Sequence, residues 1–164
     1  MEETIAIAWT DIVTAVAAGL TVLILLAAAF YARNEIKCSE RTREAQLLTD
    51  LSRRWNEEQL TEARKAVRNY KSADELKDAV QKLGENNDKE YYILVRLPDF
   101  FEALGVLVNT SCLNKQLTKD LFGTAIGYYH ELYGPTMQYL REKYNDKNIY
   151  KWFDDLAEKL NELS

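Results

Sequence analysis

Ile12-Val13-Thr14-Ala15-Val16-Ala17-Ala18-Gly19-Leu20-Thr21-Val22-Leu23-Ile24-Leu25-Leu26-Ala27-Ala28-Ala29-Phe30-Tyr31-Ala32 holds no charged side chain over 21 residues. As an α-helix rising about 1.5 Å per residue it is about 31 Å long, close to the ~30 Å of a bilayer's hydrocarbon core. Only a helix lets a lone segment satisfy its backbone amides in lipid. Trp9 and Tyr31 stand near the two ends and Arg33 opens the polar sequence beyond, the residue types that anchor a span at its interfaces. The stretch predicts a transmembrane helix over residues 12–32, with the lipid bilayer as its first partner. A buried core helix is the rival reading, but the 132 residues that follow are few to wrap it on every side. A cleaved signal peptide is a second rival. It asks for a basic start, whereas the chain reads Met1-Glu2-Glu3, and for a shorter apolar run.

Charge asymmetry orients the span. Glu2, Glu3 and Asp11 precede it; Arg33, Lys37, Arg41 and Arg43 follow, interspersed with Glu35, Glu40 and Glu44. Lys and Arg favour the cytoplasmic side, so a short extracytoplasmic N-terminus over residues 1–11 and a cytoplasmic C-terminal part are expected. Cys38 and Cys112 suit a reducing compartment as free thiols.

The whole chain carries 21 basic and 26 acidic residues, a formal charge of -5. Such a balance argues against nucleic acid as a partner. Six glycines and two prolines exclude collagen-like and low-complexity classes. Two distant cysteines exclude a disulfide-stapled scaffold and a four-cysteine zinc site.

Beyond the span, residues 33–46 are almost entirely polar and predict a stalk continuing the helix. Residues 47–164 predict an all-α cytoplasmic domain of about five or six helices. Leu48, Leu51 and Trp55 have helical spacing. Asn56 with Gln59 reads as a capping-box start of a helix running to about Tyr70, and Ser72 with Glu75 as a second, ended by Gly84. Tyr91, Leu94, Leu97, Phe101, Leu104 and Val108 recur at helical intervals around Pro98, leaving a kinked helix or a short strand over 91–95 open. Leu117, Leu121, Ala125, Tyr128 and Leu132 predict the buried face of the next helix, which Gly134-Pro135 ends or bends. After a polar break at 145–148, Ile149, Phe153, Leu156, Leu160 and Leu163 predict the last one.

Motifs for chemistry are sparse. No phosphate-cradling glycine loop, Gly-x-Ser-x-Gly or His-Glu-x-x-His occurs. His130 is the single histidine, read as an ordinary helical residue or, more sharply, as the partner of Cys112 in a thiol-imidazole pair. Asp99 and Glu102 lie on neighbouring positions of one face, but the Glu-x-x-His motifs of di-iron bundles do not accompany them. No cofactor or metal is expected. Arg53, Arg54, Arg64, Lys65, Arg68 and Lys71 form a basic cluster interleaved with Glu57, Glu58 and Glu62. It reads either as a solvated face with local ion pairs or as a contact for acidic headgroups or an acidic partner.

The order of features resembles a known family. One apolar span is followed by Leu47-Leu48-x-x-Leu51-x-Arg53-x-Trp55-Asn56, then Ala63-Arg64, Phe100-Phe101-Glu102-Ala103-Leu104-Gly105, Leu121-Phe122-Gly123 and Tyr128-Tyr129. This resembles uncharacterised bacterial single-span membrane proteins with a helical cytoplasmic domain, a domain of unknown function. The resemblance implies a tethered helical module of the bacterial inner membrane, and for Arg64 and Glu102 either a structural ion pair or a functional site. The leading expectation is a non-enzymatic interaction or regulatory module with a protein partner. The alternatives are an oligomerising membrane effector of a stress or defence system, for which Ala15 and Gly19 offer one small-xxx-small pair, and an enzyme centred on His130.

Overall fold

The computed structural model describes the backbone of residues 2–86 and 88–163 and the side chains of residues 20, 21, 23–86 and 88–163. Among these the chain is all-helical: α1 (Glu2–Asn56), α2 (Glu58–Val67), α3 (Ala73–Glu85), α4 (Lys89–Asn109), α5 (Lys115–Tyr144) and α6 (Lys151–Asn161). It divides into two compact units, residues 1–45 and 46–164.

The first unit is the N-terminal part of α1. Leu20, Leu23, Ile24, Leu25, Leu26, Phe30 and Tyr31 are all exposed there. At 100° per residue they point to every side of the helix, so this segment has no polar face. Among the described residues no helix is long and apolar enough to cross a membrane. The run 12–32 includes residues 12–19 and 22, whose side chains lie outside the described ones, as do those of Trp9, Ala15 and Gly19.

The second unit has one hydrophobic core. Leu51 and Trp55 of α1 pack with Leu60, Ala63 and Val67 of α2, Leu76 and Val80 of α3, and the long buried face of α4. Phe101 stacks on Phe153 of α6 at 4.9 Å between ring centroids. Tyr133 is fully buried and donates its hydroxyl to the Leu94 carbonyl at 2.6 Å, joining α5 to α4. Burial pushes the Tyr133 phenol well above its ordinary pKa, so it stays a neutral donor.

Several local expectations are corrected. Asn56 is the last residue of α1 and donates its side-chain amide back to the Ser52 carbonyl; Glu57 occupies the N-cap of α2 without a side-chain bond. Ser72 does cap α3, accepting from the Glu75 N–H at 3.2 Å, while Glu75 reaches back to the Lys71 N–H at 2.7 Å. Gly84 lies inside α3 rather than after it. A Cβ there would stand 3.1 Å from the Tyr91 ring, so close packing accounts for the glycine. Residues 91–98 are helical, with Pro98 buried inside α4.

α5 departs most. It runs unbroken through Gly134-Pro135, because one missing N–H removes a single bond from a long helix whose neighbours hold it. Its buried face is Thr118, Phe122, Ile126, Tyr129, Tyr133 and Met137, one residue on from the expected stripe. Leu117, Leu121 and Tyr128 are exposed at 43, 56 and 54 %. Two apolar stripes compete on this helix, and the one with the larger rings fills the core. At the C-terminus, Leu163 is likewise exposed.

Candidate functional site

The densest polar constellation gathers at the start of α6. Tyr150, its N-cap, has the left-handed backbone (φ 55°, ψ 31°), which a bulky residue adopts only when its surroundings enforce it. Arg141 of α5 supplies much of that enforcement. Its Nε donates to the Ile149 carbonyl at 2.8 Å and its Nη2 to the Tyr150 carbonyl at 3.3 Å. The Tyr150 hydroxyl donates to Asp99 Oδ1 on α4 at 2.8 Å.

Glu102, one turn along α4 from Asp99, caps α6 from outside. Its Oε2 accepts the Phe153 N–H at 2.7 Å, and the Trp152 N–H bonds to the same carboxylate. A carboxylate there answers both the orphan donors and the positive end of the helix dipole. Gly105 completes the fit: a Cβ on it would stand 2.1 Å from the Trp152 carbonyl oxygen.

The third group is His130-Asp154-Arg141. Asp154 Oδ2 accepts from Arg141 Nη2 at 2.6 Å and Oδ1 from His130 Nε2 at 2.9 Å. A carboxylate can only accept, so the imidazole proton sits on Nε2. The ring meets Phe153 edge-on at 5.4 Å. His130 is therefore a satisfied residue that ties α5 to α6.

Electrostatics follow burial. Desolvation raises the Glu102 carboxyl pKa, opposed by its backbone bonds to Phe153 and Trp152. Desolvation also raises that of Asp99, opposed by the Tyr150 hydrogen bond. The Tyr150 phenol is pushed far up by burial and then by the Asp99 charge. Chemically, this is a charged knot that fixes where α6 starts and how it lies on α4 and α5.

Other expected residues are dispersed. Cys112 lies in the loop before α5, where its sulfur accepts from Thr110 Oγ1 at 3.4 Å. Some fifteen residues of α5, about 22 Å, separate that loop from His130, so no thiol-imidazole pair forms. Arg64 and Glu102 are not an ion pair either. Arg64 donates to Thr61 Oγ1 at 2.9 Å and lies 4.5 Å over the Trp55 ring, while Glu102 is spent on α6. Of the basic cluster, Arg53 pairs with Asp50 at 3.1 Å; Arg54, Lys65 and Arg68 are exposed. Tyr31 and Arg33 are exposed on α1. Among the described residues no group of three His, Cys, Asp or Glu is placed to hold a metal ion. A polar groove of about 700 Å³ runs between α3 and α5 over Gly134 and Pro135.

The partners 24 to 51 residues apart (His130 with Asp154, Tyr150 with Asp99, Phe153 with Glu102) carried no signal in spacing. The weak hint was a last helix whose first turn lacks its own capping side chain.

The arrangement can be set against known proteins. The family described as Domain of unknown function (DUF4760) matches residues 13–160. The chain belongs to that family. No curated protein and no solved structure matches it. The DUF4760 match takes in the α6 knot as well as most of the apolar run of α1.

Proposed function

We propose that this DUF4760 chain is a membrane-anchored, non-enzymatic interaction or regulatory module. In this reading residues 12–32 cross the bacterial inner membrane once, and residues 33–46 continue the helix as a stalk. The bundle is then held at the cytoplasmic face for a protein partner. The observation that carries the reading is the all-round apolar, exposed segment of α1. Leu23, Ile24, Leu25, Leu26 and Phe30 are each at least 63 % exposed, and they point to every side. A helix apolar on all sides is covered by lipid or by a large core, and these described side chains are exposed. The uncharged run upstream to residue 12 extends it to bilayer length. The basic residues from Arg33 to Arg43 support the cytoplasmic placement of the bundle.

The interaction role draws support from how the bundle uses its reactive side chains. His130, Asp99, Glu102 and Tyr150 are each engaged in joining helices. Tethering concentrates such a module and its partner at one surface.

Fractionation of cells producing the full chain tests this. It is expected in the membrane pellet and to resist alkaline carbonate, with a C-terminal tag shielded from protease added outside the inner membrane. Recovery in the supernatant, or trimming of the tag, overturns the reading.

A further inference from the structure

We propose that the outer face of α5 is a docking surface for a second copy of this chain, two α5 helices meeting in parallel about a two-fold axis. The inference rests on the membrane-anchored reading and names a partner within it.

Leu117, Leu121, Thr124 and Tyr128 recur at 4-3-4 along α5 and all are exposed. That is the spacing of a helix-helix seam. Gly127, on the Asp120 side of this stripe at 100° per residue, has nothing within 4 Å of where a Cβ would stand, so that flank is open.

The two edges of this stripe carry opposite charge. On one side the Tyr128 ring meets Tyr129 at 5.0 Å, Tyr129 meets Trp55 at 6.3 Å, and Arg64 lies over Trp55 at 4.5 Å. Arg68 follows Arg64 one turn later, and among the described residues neither forms an ion pair. Both cations draw the Tyr129 phenol pKa down against the burial that raises it, so their field reaches this edge. On the other side, 100° per residue puts Asp120 and Glu131 on the edge away from Tyr129, and both are exposed.

An apolar stripe between an acidic and a basic edge complements itself under a two-fold axis parallel to the helix. Rotation about that axis exchanges the edges, so the acidic edge of each copy faces the basic edge of the other. The stripe is short, and by area alone a dimer in free solution would be weak. Two chains confined to one membrane meet at much higher effective concentration, which compensates for that.

The test uses the full chain in native membranes, with Cys38→Ser and Cys112→Ser. Thr124→Cys, at the centre of the stripe, is expected to form a disulfide dimer on mild oxidation; Glu158→Cys, exposed on α6, is the background control. Adding Leu121→Glu with Tyr128→Glu should lower the yield at least about tenfold, since the seam loses its apolar contacts. Glu131→Arg should lower it by roughly threefold, and Arg68→Glu in the same chain should restore it, because the edges again match. If the glutamate pair perturbs the melting curve, Leu121→Gln with Tyr128→Gln replaces it. A Thr124→Cys yield no higher than that of Glu158→Cys, adducts only to another protein, or no rescue by Arg68→Glu overturns the proposal. The chain would still pellet with membranes in any of these cases, so a failure here is distinct from failure of the anchoring itself.

Discussion

Leu25 of α1 and Phe101 of α4 are both large, apolar and helical, and they sit in opposite surroundings. Leu25 is 63 % exposed on a helical segment that is apolar all round, whereas Phe101 is fully buried between Trp55, Phe153 and Tyr129. The difference teaches that hydrophobic content alone does not make a core. The bundle helices bury one face and keep the other polar; the apolar stretch of α1 from Leu20 to Tyr31 has no polar face to keep. The same side-chain truncation should therefore act differently in the two regions. Phe101→Ala is expected to cost about 4 kcal/mol of bundle stability, through lost burial and a cavity. Leu25→Ala should leave the denaturant midpoint of the bundle unchanged, because Leu25 is 63 % exposed and lies outside the compact unit 46–164. On the proposed membrane-anchored reading, Leu25→Arg instead should cost roughly 3 kcal/mol of insertion, read as chain recovered in the soluble fraction. A shared loss of midpoint for Phe101→Ala and Leu25→Ala would break the comparison.

Gly105 sharpens it from the packing side. Because the Trp152 carbonyl oxygen would lie 2.1 Å from an added Cβ, α6 must move for Gly105→Ala to fold. A loss of about 3 kcal/mol is expected from such overpacking, measured by urea unfolding. Gly127→Ala, with nothing in the way, should by contrast stabilise the helix by roughly 1 kcal/mol.

The sequence patterns made much of this fold legible, and the exceptions have physical causes. Local devices could be read: Ser72 capping α3, the 3.6 period of α4, the polar break before α6. The unbroken helix through Pro135 could not, because whether a proline breaks a helix depends on what packs around it. The buried face of α5 was ambiguous for a related reason. Leu117-Leu121-Ala125-Tyr128 and Thr118-Phe122-Ile126-Tyr129 both satisfy the helical period, and only the volume between α3, α4 and α6 selects one. For the α6 knot the basic fact, that Glu102 and Asp99 serve a helix fifty residues later, is tertiary.

Asp99 and Glu102 make that knot dependent on pH. Desolvation raises both carboxyl pKa values above their ordinary 3.8 and 4.5, against the hydrogen bonds that lower them. The folded state then binds more protons than the unfolded chain just above those values, so their contribution is full at lower pH and declines as pH rises. Urea midpoints should show this decline as pH rises above the ordinary carboxyl range, and it should flatten in Asp99→Asn with Glu102→Gln, which keep acceptor oxygens for Tyr150 and Phe153. An unchanged slope in the double variant would remove the knot from the pH response.

The smallest effect concerns a hydroxyl rather than a ring. Thr136 follows Pro135 on α5, is 1 % exposed, and its Oγ1 has no hydrogen-bond partner. A threonine within a helix commonly bonds back to the carbonyl four residues earlier; this one does not, so its oxygen is desolvated without return. Valine has nearly the same shape and no polar atom, and it favours a single side-chain rotamer in a helix. Thr136→Val should therefore raise stability by about 1 kcal/mol, seen as a higher urea midpoint with an unchanged slope. A loss instead would mean that the hydroxyl has a partner in solution, a water above all, and that this part of the core is wetter than the dry packing around Tyr133 and Met137 indicates.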